Sequence, residues 1–551
     1  MHGFLREEYF NQYAQYNSES TNGGLIVPNQ FFIKNSKQQA SFNAYKFNTK
    51  RIVSTIFMIG TSWKNQLFLD ITGRNDWSSA LVYSYGIGNF SYFYPSVSGS
   101  WIITETFKDK LPKWVSFAKV RGSWAQVGND TSPYYINSGY SVATYQRGDK
   151  KIYGMTIPEN MKSTNLKPER KNAWEVGLDW RFFDSRIGVD LTYYKENTRN
   201  QIMTINVPWE SGVKEKLINA GNIQNSGIEI ALNTTPIKKK QWQWDLNFTY
   251  TRNRNKIVEL SPDVTSYINL DGAANYGNYR IASVAKVGSD YGMLMSDSWI
   301  KTDEKTGKPV VGYTNKFRTV YYKRGGTVKE VGSMLPNFLG SLNSTLRWKD
   351  LSLYVLFDAR FGGYVASYNS RYATAYGFSG ETEKYRKGMT WTSKYANAQD
   401  KVFTDGFIPD VVFDAGTIVT TPGGTNQDVS GMTYQEAYEK GYVEPAHLQS
   451  AAYFKNSWGT GVINDDWFKK INYIALREIT LSYNVPTKIS SYIGAKNLSL
   501  SFTGRNLAYL LNTAPNHENP ESVRGTGAAQ FRMRSFMPYT ASYLFTLNAT
   551  F

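Results

Sequence analysis

Cysteine is absent from all 551 residues, which excludes disulfides, thiolate metal sites and cysteine nucleophiles together. Histidine is nearly as scarce: His2, His447 and His517 stand far apart in stretches that read as loops, so neither a zinc site nor a His-centred triad is expected. No run approaches the roughly 18 consecutive apolar residues of a membrane helix, and the first thirty residues hold no apolar core of an export signal. No basic block is longer than Lys238-Lys239-Lys240, which sits as a turn between two strands. The net charge of +17 is therefore read as attraction to the phosphates of an anionic leaflet rather than to nucleic acid. Asp303-Glu304 and Asp465-Asp466 lack the alternating oxygen ligands and glycine of a calcium loop. No metal, cofactor or catalytic residue is expected.

What the chain has in abundance is aromatic side chains, 40 Tyr, 30 Phe and 15 Trp, beside a polar mean hydropathy of -0.45. Both suit strands that face hydrocarbon with every second residue and water with the others. The last eleven residues show the pattern: Tyr543, Phe545, Leu547, Ala549 and Phe551 share one face, while Ser542, Thr546, Asn548 and Thr550 share the other, with Leu544 the exception. A lone strand cannot leave its backbone unpaired in lipid, so such a strand implies a barrel around it. The same period of two runs through Trp174, Val176, Leu178, Trp180 and Phe182, and after a turn at Asp184-Ser185 through Ile187, Val189, Leu191 and Tyr193. It recurs at Ile228 to Leu232, Trp242 to Tyr250, Leu342 to Leu346, Leu351 to Phe357 and Leu498 to Phe502, and slips near Arg477-Glu478, where a bulge is expected. A soluble sandwich alternates too, but rarely sets carboxylates and Arg against Trp on so many strands.

Connections alternate in length. Short ones fall near Lys64-Asn65, Glu105 to Trp114, Asp184, Pro236 to Lys240, Gly288 to Asp290, Trp348 to Asp350 and Val485 to Ala495. Long ones are read at 128 to 169, 199 to 221, 255 to 277, 301 to 336, 365 to 466 and 509 to 537, giving about fifteen strands with short periplasmic turns and long extracellular loops. Residues 1–50 read as loop or the remnant of an earlier hairpin, and 51–551 as barrel. A short helix is expected at Glu381 to Gly388.

The segments Asn165 to Ile202, Asn219 to Leu232, Asp466 to Pro486 and Leu500 to Ser522 resemble the SusC/RagA family of TonB-dependent outer-membrane transporters. The resemblance runs in family order from about Lys50 onward. It implies an all-β, antiparallel transmembrane barrel in the bacterial outer membrane, of which this chain holds about 15 of an expected 22 strands, and a non-enzymatic role in importing glycans or peptides. It also implies a SusD-like surface lipoprotein as partner, contacted by the 365 to 466 insertion, and energy from the TonB complex. The signal peptide, TonB-contacting box and lumen-filling plug of the family have no recognisable counterpart, so the plug is expected to be absent and Met1 not to be the native start. The remaining barrel would come from a missing N-terminal part. The rival readings are an outer-membrane porin or barrel enzyme, and a soluble all-β carbohydrate-binding protein.

Three groups of residues stand out. Glu175, Asp179, Arg181, Asp190, Glu229, Asp245, Arg347, Asp358 and Arg360 fall on the polar strand face, where they guide a solute or, more plainly, pair with each other or hold a plug. Tyr134, Tyr135, Tyr140, Tyr145 and Tyr153 lie in a long loop and are candidates for stacking on a sugar or peptide, against the simple interfacial role of rim aromatics. Tyr543, Phe545, Leu547 and Phe551 resemble a C-terminal barrel-assembly signal.

Overall fold

The computed structural model describes residues 2–12 and 46–551, apart from 109, 148–149, 208, 262–263, 265–266, 271–280, 316–317, 376–387, 447–467, 524–526, 528–530 and 534–537. Among the described residues, fourteen strands follow one another in a single antiparallel meander. We number these wall strands β1 (His2–Gln12), β2 (Lys46–Trp63), β3 (Leu67–Ser78), β4 (Ser91–Ile102), β5 (Val115–Asn129), β6 (Glu169–Phe182) and β7 (Ile187–Asn206). There follow β8 (Glu215–Lys238), β9 (Trp242–Glu259), β10 (Phe338–Trp348), β11 (Leu351–Ser367), β12 (Phe468–Val485), β13 (Asn497–Asn512) and β14 (Ser542–Thr550). Short segments Asn160–Lys162 and Arg532–Met533 add in parallel to β8 and β11. The first fifty residues thus contribute β1 and the beginning of β2.

At one end of the wall the β2–β3, β6–β7, β8–β9 and β10–β11 connections are tight. The β2–β3 turn puts Lys64 and Asn65 at φ 50 and 54 and closes with a 2.9 Å bond from the Gln66 amide to the Trp63 carbonyl. Positive φ at both central residues matches the right-handed twist of the flanking strands. Between β6 and β7, Phe183, Asp184 and Ser185 do the same job with φ between 54 and 61. All the long connections leave from the opposite end of the strands.

Register keeps the two faces largely distinct in chemistry. Trp180, Val189, Leu232, Phe248, Leu342 and Phe357 lie side by side across β6 to β11, and the polar residues form equivalent rows on the other face. Trp174 is 40% exposed and Phe545 72%; the apolar face is not packed into any interior. Trp244 is half-buried and its indole N–H donates to Ser344 Oγ at 2.9 Å, which satisfies that donor on the apolar face. Aromatics crowd both margins. Trp242 stacks on Trp348 at 5.6 Å near the short turns, and Trp174 packs on Tyr193 at 5.3 Å toward the long loops. From Trp174 to Trp180 is about 20 Å along the strand at ~3.4 Å per residue, close to the height of an apolar membrane band.

The phase slip in β12 is a bulge: Leu476 faces Phe357 and Glu478 faces Leu356, leaving Arg477 between them. Two boundaries differ from the sequence reading. The 199 to 221 stretch is largely strand, because β7 and β8 stay paired through Asn206 and Glu215 and the loop shrinks to 207–214. Gly288 to Asp290 is no wall turn; it joins Ile281–Lys286 to Met293–Ser296 in a separate four-stranded sheet with Tyr267–Asn269 and Lys329–Ser333. There Ile281, Ser283, Val284 and Ala285 are all buried, so both strand faces are covered and the alternation that marks wall strands is absent. The helix expected at Glu381 to Gly388 lies, except for Gly388, outside the described residues.

The loop after β9 and the insertion after β11 combine into one external module. Val310 and Val311 pair in parallel with Val412 and Phe413, around a core that includes Val320, Phe413, Val419, Val429 and Tyr434. Thr433 and Glu436 form a capping box at helix Tyr434–Glu439, which fixes its first turn. Among the described residues no pairing joins β1 to β14, so the sheet is an open arc of wall.

Candidate functional site: the polar wall and its mouth

The pleat that turns Trp and Leu to one side turns the charged residues to the other, and the register decides which of them meet. Arg121 on β5 reaches across β6 to grip Asp190 on β7 with two bonds of 2.9 and 3.0 Å, and donates to Thr192 at 2.6 Å. Its Nε lies 3.8 Å from Glu175. Two strands on, Arg347 donates to Asp245 at 2.7 Å, and Thr235 and Gln243 also donate to that carboxylate. Asp179 and Arg181 approach to 3.5 Å on one strand, with the Arg181 guanidinium 5.3 Å from the Phe117 ring centre. Glu229 lies opposite Thr192 in the β7–β8 register. Arg360 donates to the carbonyls of Gly362 and Met334, both at 3.3 Å.

The nine residues therefore form no single cluster; they are spread over several strands. Asp358 meets a partner that the strand pattern concealed. Arg477, pushed out by its bulge, donates to Asp358 at 2.8 and 3.2 Å and makes two bonds of 2.7 Å to Glu521. Glu521 belongs to the loop after β13, so this arginine ties that loop to the wall. Burial works to raise the Glu521 carboxyl, but the bonds from Arg477 and Tyr509 outweigh it and hold the group below its ordinary range. Glu518 in the same loop accepts from Ser367 at 3.0 and 3.1 Å, and burial pushes its carboxyl up. Arg121 stands in plain alternation with Lys119 and Ser123 and was legible in principle; Arg477 and Glu521 were not.

At the long-loop end of β7 to β9 a cavity of about 710 Å³ opens between the wall and the four-stranded loop sheet. Glu169, Gln201, Glu215 and Asn255 contribute polar groups, and Tyr291 and Ile268 cover it from the loop side. Glu169 is held by the Ile202 amide and the Asn129 carboxamide, both at 3.0 Å. Burial raises the Tyr291 phenol, which keeps it a neutral hydroxyl. The size is that of a small-molecule cleft, and its lining suits a hydroxyl- or amide-rich solute.

Of the five loop tyrosines, only Tyr135 comes near this cavity, its hydroxyl 3.5 Å from Thr204. Lys162 donates to its carbonyl at 2.5 Å and sits 4.4 Å from its ring centre. Tyr134, Tyr140, Tyr145 and Tyr153 are exposed, the last two on a hairpin of Ser141–Arg147 with Lys150–Thr156. Tyr543, Phe545, Leu547 and Phe551 project from β14 and the residue after it, all more than half exposed.

A family model described as TonB dependent receptor-like, beta-barrel, matches residues 3–364. TonB-dependent receptor P26 of Formosa agariphila is 23% identical over 86% of this chain and 43% of its own length. TonB-dependent receptor SusC of Bacteroides thetaiotaomicron is 27% identical over 47% of this chain and 26% of its own. Among solved structures, that of the RagAB peptide transporter superposes with a TM-score of 0.66 at 15% identity, covering 100% of this chain and 55% of the other. The chain spans less than half the length of these curated relatives.

Proposed function

Because this chain belongs to the TonB-dependent receptor-like β-barrel family of the outer membrane, SusC/RagA-like in type, we propose that it forms the wall of an importer for oligosaccharides or peptides. The observation that carries this reading is the division of one sheet into an apolar face and a charge-paired polar face that leads to the polar mouth cavity. A solute passing along such a wall exchanges hydrogen bonds with water and side chains without crossing oil.

Lipid leaves the free edges of β1 and β14 unsatisfied, so further strands complete the barrel. A plug outside the 551 residues fills it and takes energy from the TonB complex, and a SusD-like surface lipoprotein pairs with the long-loop end. The carboxamides and carboxylates of the cavity suit either neutral sugars or peptides.

Uptake of labelled short peptides and of labelled oligosaccharides by cells carrying the complete transporter tests this. Uptake of one of the two sets is expected to stop on adding a protonophore and to fall several-fold in Asn255→Leu. Uptake that continues after the proton gradient collapses, as through a porin, contradicts it.

A further inference from the structure

On the apolar side of the wall the period of two runs on past the aromatic margin at the long-loop end, but the residue type changes. On β6, Trp174 is followed outward by Asn172 and Arg170. On β7 the same side runs from Tyr193 to Lys195, Asn197 and Arg199, and on β9 from Tyr250 to Arg252, Arg254 and Lys256. Register joins them into rows. Trp174, Lys195, Ser226 and Arg254 face one another in turn, and so do Asn172, Asn197, Gln224 and Lys256. Arg170 lies directly opposite Arg199. The six cations occupy an area about 14 Å wide at ~4.8 Å between strands, and about 20 Å tall at ~3.4 Å per residue.

Arg170, Arg199, Arg254 and Lys256 are exposed, and Lys195 and Arg252 half-buried. None of the six has an ion-pair partner among the described residues. The carboxylates of these strands are engaged elsewhere: Glu196 pairs with Lys171 on the polar face, Glu175 lies 3.8 Å from Arg121 there, and Glu169 lines the mouth cavity. Glu259, opposite Asn222, borders the cluster at the end of β9. Like charges set opposite each other across a sheet are destabilising, so six cations on one face call for an anion.

We infer that this patch is a binding site for the phosphates of a phosphorylated glycolipid headgroup in the outer leaflet. Its height selects a lipid: Lys or Arg on the lipid face is costly at the bilayer midplane and nearly free at the interface, and these residues begin where the aromatic margin ends. Their aliphatic stems can lie along the tails while the charged ends rise to the headgroup, and the arginine forks match phosphate oxygens. The site is also local. The corresponding ends of β3, β4, β10 and β11 turn Trp77, Phe93, Phe338 and Phe361 to the same side. A net charge of +17 draws anionic lipid to the whole molecule; the patch fixes where one headgroup is held. The inference rests on the wall standing in the outer membrane and not on what the wall carries.

Native mass spectrometry of the complete transporter in detergent, titrated with bisphosphorylated lipid A, tests this. Apparent affinity is expected to fall at least tenfold in Arg199→Ala/Arg254→Ala/Lys256→Ala and to stay within threefold in Arg199→Lys/Arg254→Lys, which keeps the charge. It should be unchanged in Lys238→Ala/Lys239→Ala/Lys240→Ala, which removes the same charge from the exposed turn at the other end of the wall. Lipid A stripped of its phosphates should bind at least tenfold more weakly, and heat-modifiable migration on gels shows which barrels are folded. Undiminished binding in the folded alanine variant overturns the inference, as does an equal loss in the turn variant, which would mean that net charge alone attracts the lipid. Equal binding of the dephosphorylated lipid also overturns it, and so does displacement of lipid A by millimolar inorganic phosphate, the mark of a free-anion site.

Discussion

Two long segments leave the same end of the wall and solve the burial problem in opposite ways. The module built from the loops after β9 and β11 buries its Val, Phe and Tyr side chains against each other and stitches distant stretches together by parallel pairing. The 130–168 loop sends out a hairpin whose apolar residues face water. The first is a small domain with a buried core of its own; the second leaves its described apolar side chains to water. Loop length alone therefore does not reveal which extracellular segment builds a core of its own, whereas the burial of its apolar side chains does.

The contrast can be broken most forcefully in the module core. Phe413→Ala, at a site 1% exposed and packed on Tyr434 at 5.5 Å, is expected to cost about 3–5 kcal/mol. Protease digestion of the purified protein should then cut within the module while the wall strands stay intact. Next comes Arg477→Ala, which strips both Asp358 and Glu521 of their partner. Charge-assisted bonds of this kind, discounted because both carboxylates are about two-fifths exposed, predict a loss of about 1–2 kcal/mol. Its readout is faster hydrogen exchange in the 513–541 loop.

Acid sharpens the comparison. Asp414 joins the two halves of the module through Lys301 at 2.7 Å and Lys323 at 3.6 Å. Burial tends to raise its carboxyl, but these two ammonium groups prevail and hold it below the ordinary value. A depressed folded-state pKa contributes stability that is present above the unfolded value of about 4 and is lost as pH falls through the folded one. The module is thus expected to loosen below about pH 4, by less than about 1 kcal/mol from this pair, and Lys301→Ala should flatten that pH dependence in a proteolysis series. The smallest stability effect is predicted for Tyr153→Ala on the hairpin, within about 0.5 kcal/mol by thermal unfolding of the isolated protein, since nothing there is packed to lose.

The wall was legible from the sequence because its two faces meet different solvents. Trp174 to Phe182 against Glu175 to Arg181 can be read as a strand, with its facing side, from side-chain type alone. The signal faded where that difference ends. Beyond Thr198 the strands run on above the lipid, both faces meet protein or water, and β7 looked like loop. In the four-stranded loop sheet both faces of Ile281 to Lys286 are covered, so that strand shows no alternation and its turn passed for one of the wall. The site was less legible than the fold. Arg121 could be placed by parity, but Arg477 sits on a bulge that breaks parity. Glu521 reaches it from more than forty residues away, and Val310 finds Val412 across a hundred. Such pairings carry no local pattern, and loop closure over that distance is set by the whole fold.

Because the chain has no cysteine, single cysteines introduced along β6 report without background. Placed in turn at Val176, Gly177, Leu178, Asp179 and Trp180 of the transporter in membranes, they can be reacted with a water-soluble, membrane-impermeant maleimide. The account predicts labelling at 177 and 179 with protection at 176, 178 and 180, a strict two-residue alternation. Equal labelling at all five positions, or the inverse alternation, would contradict it.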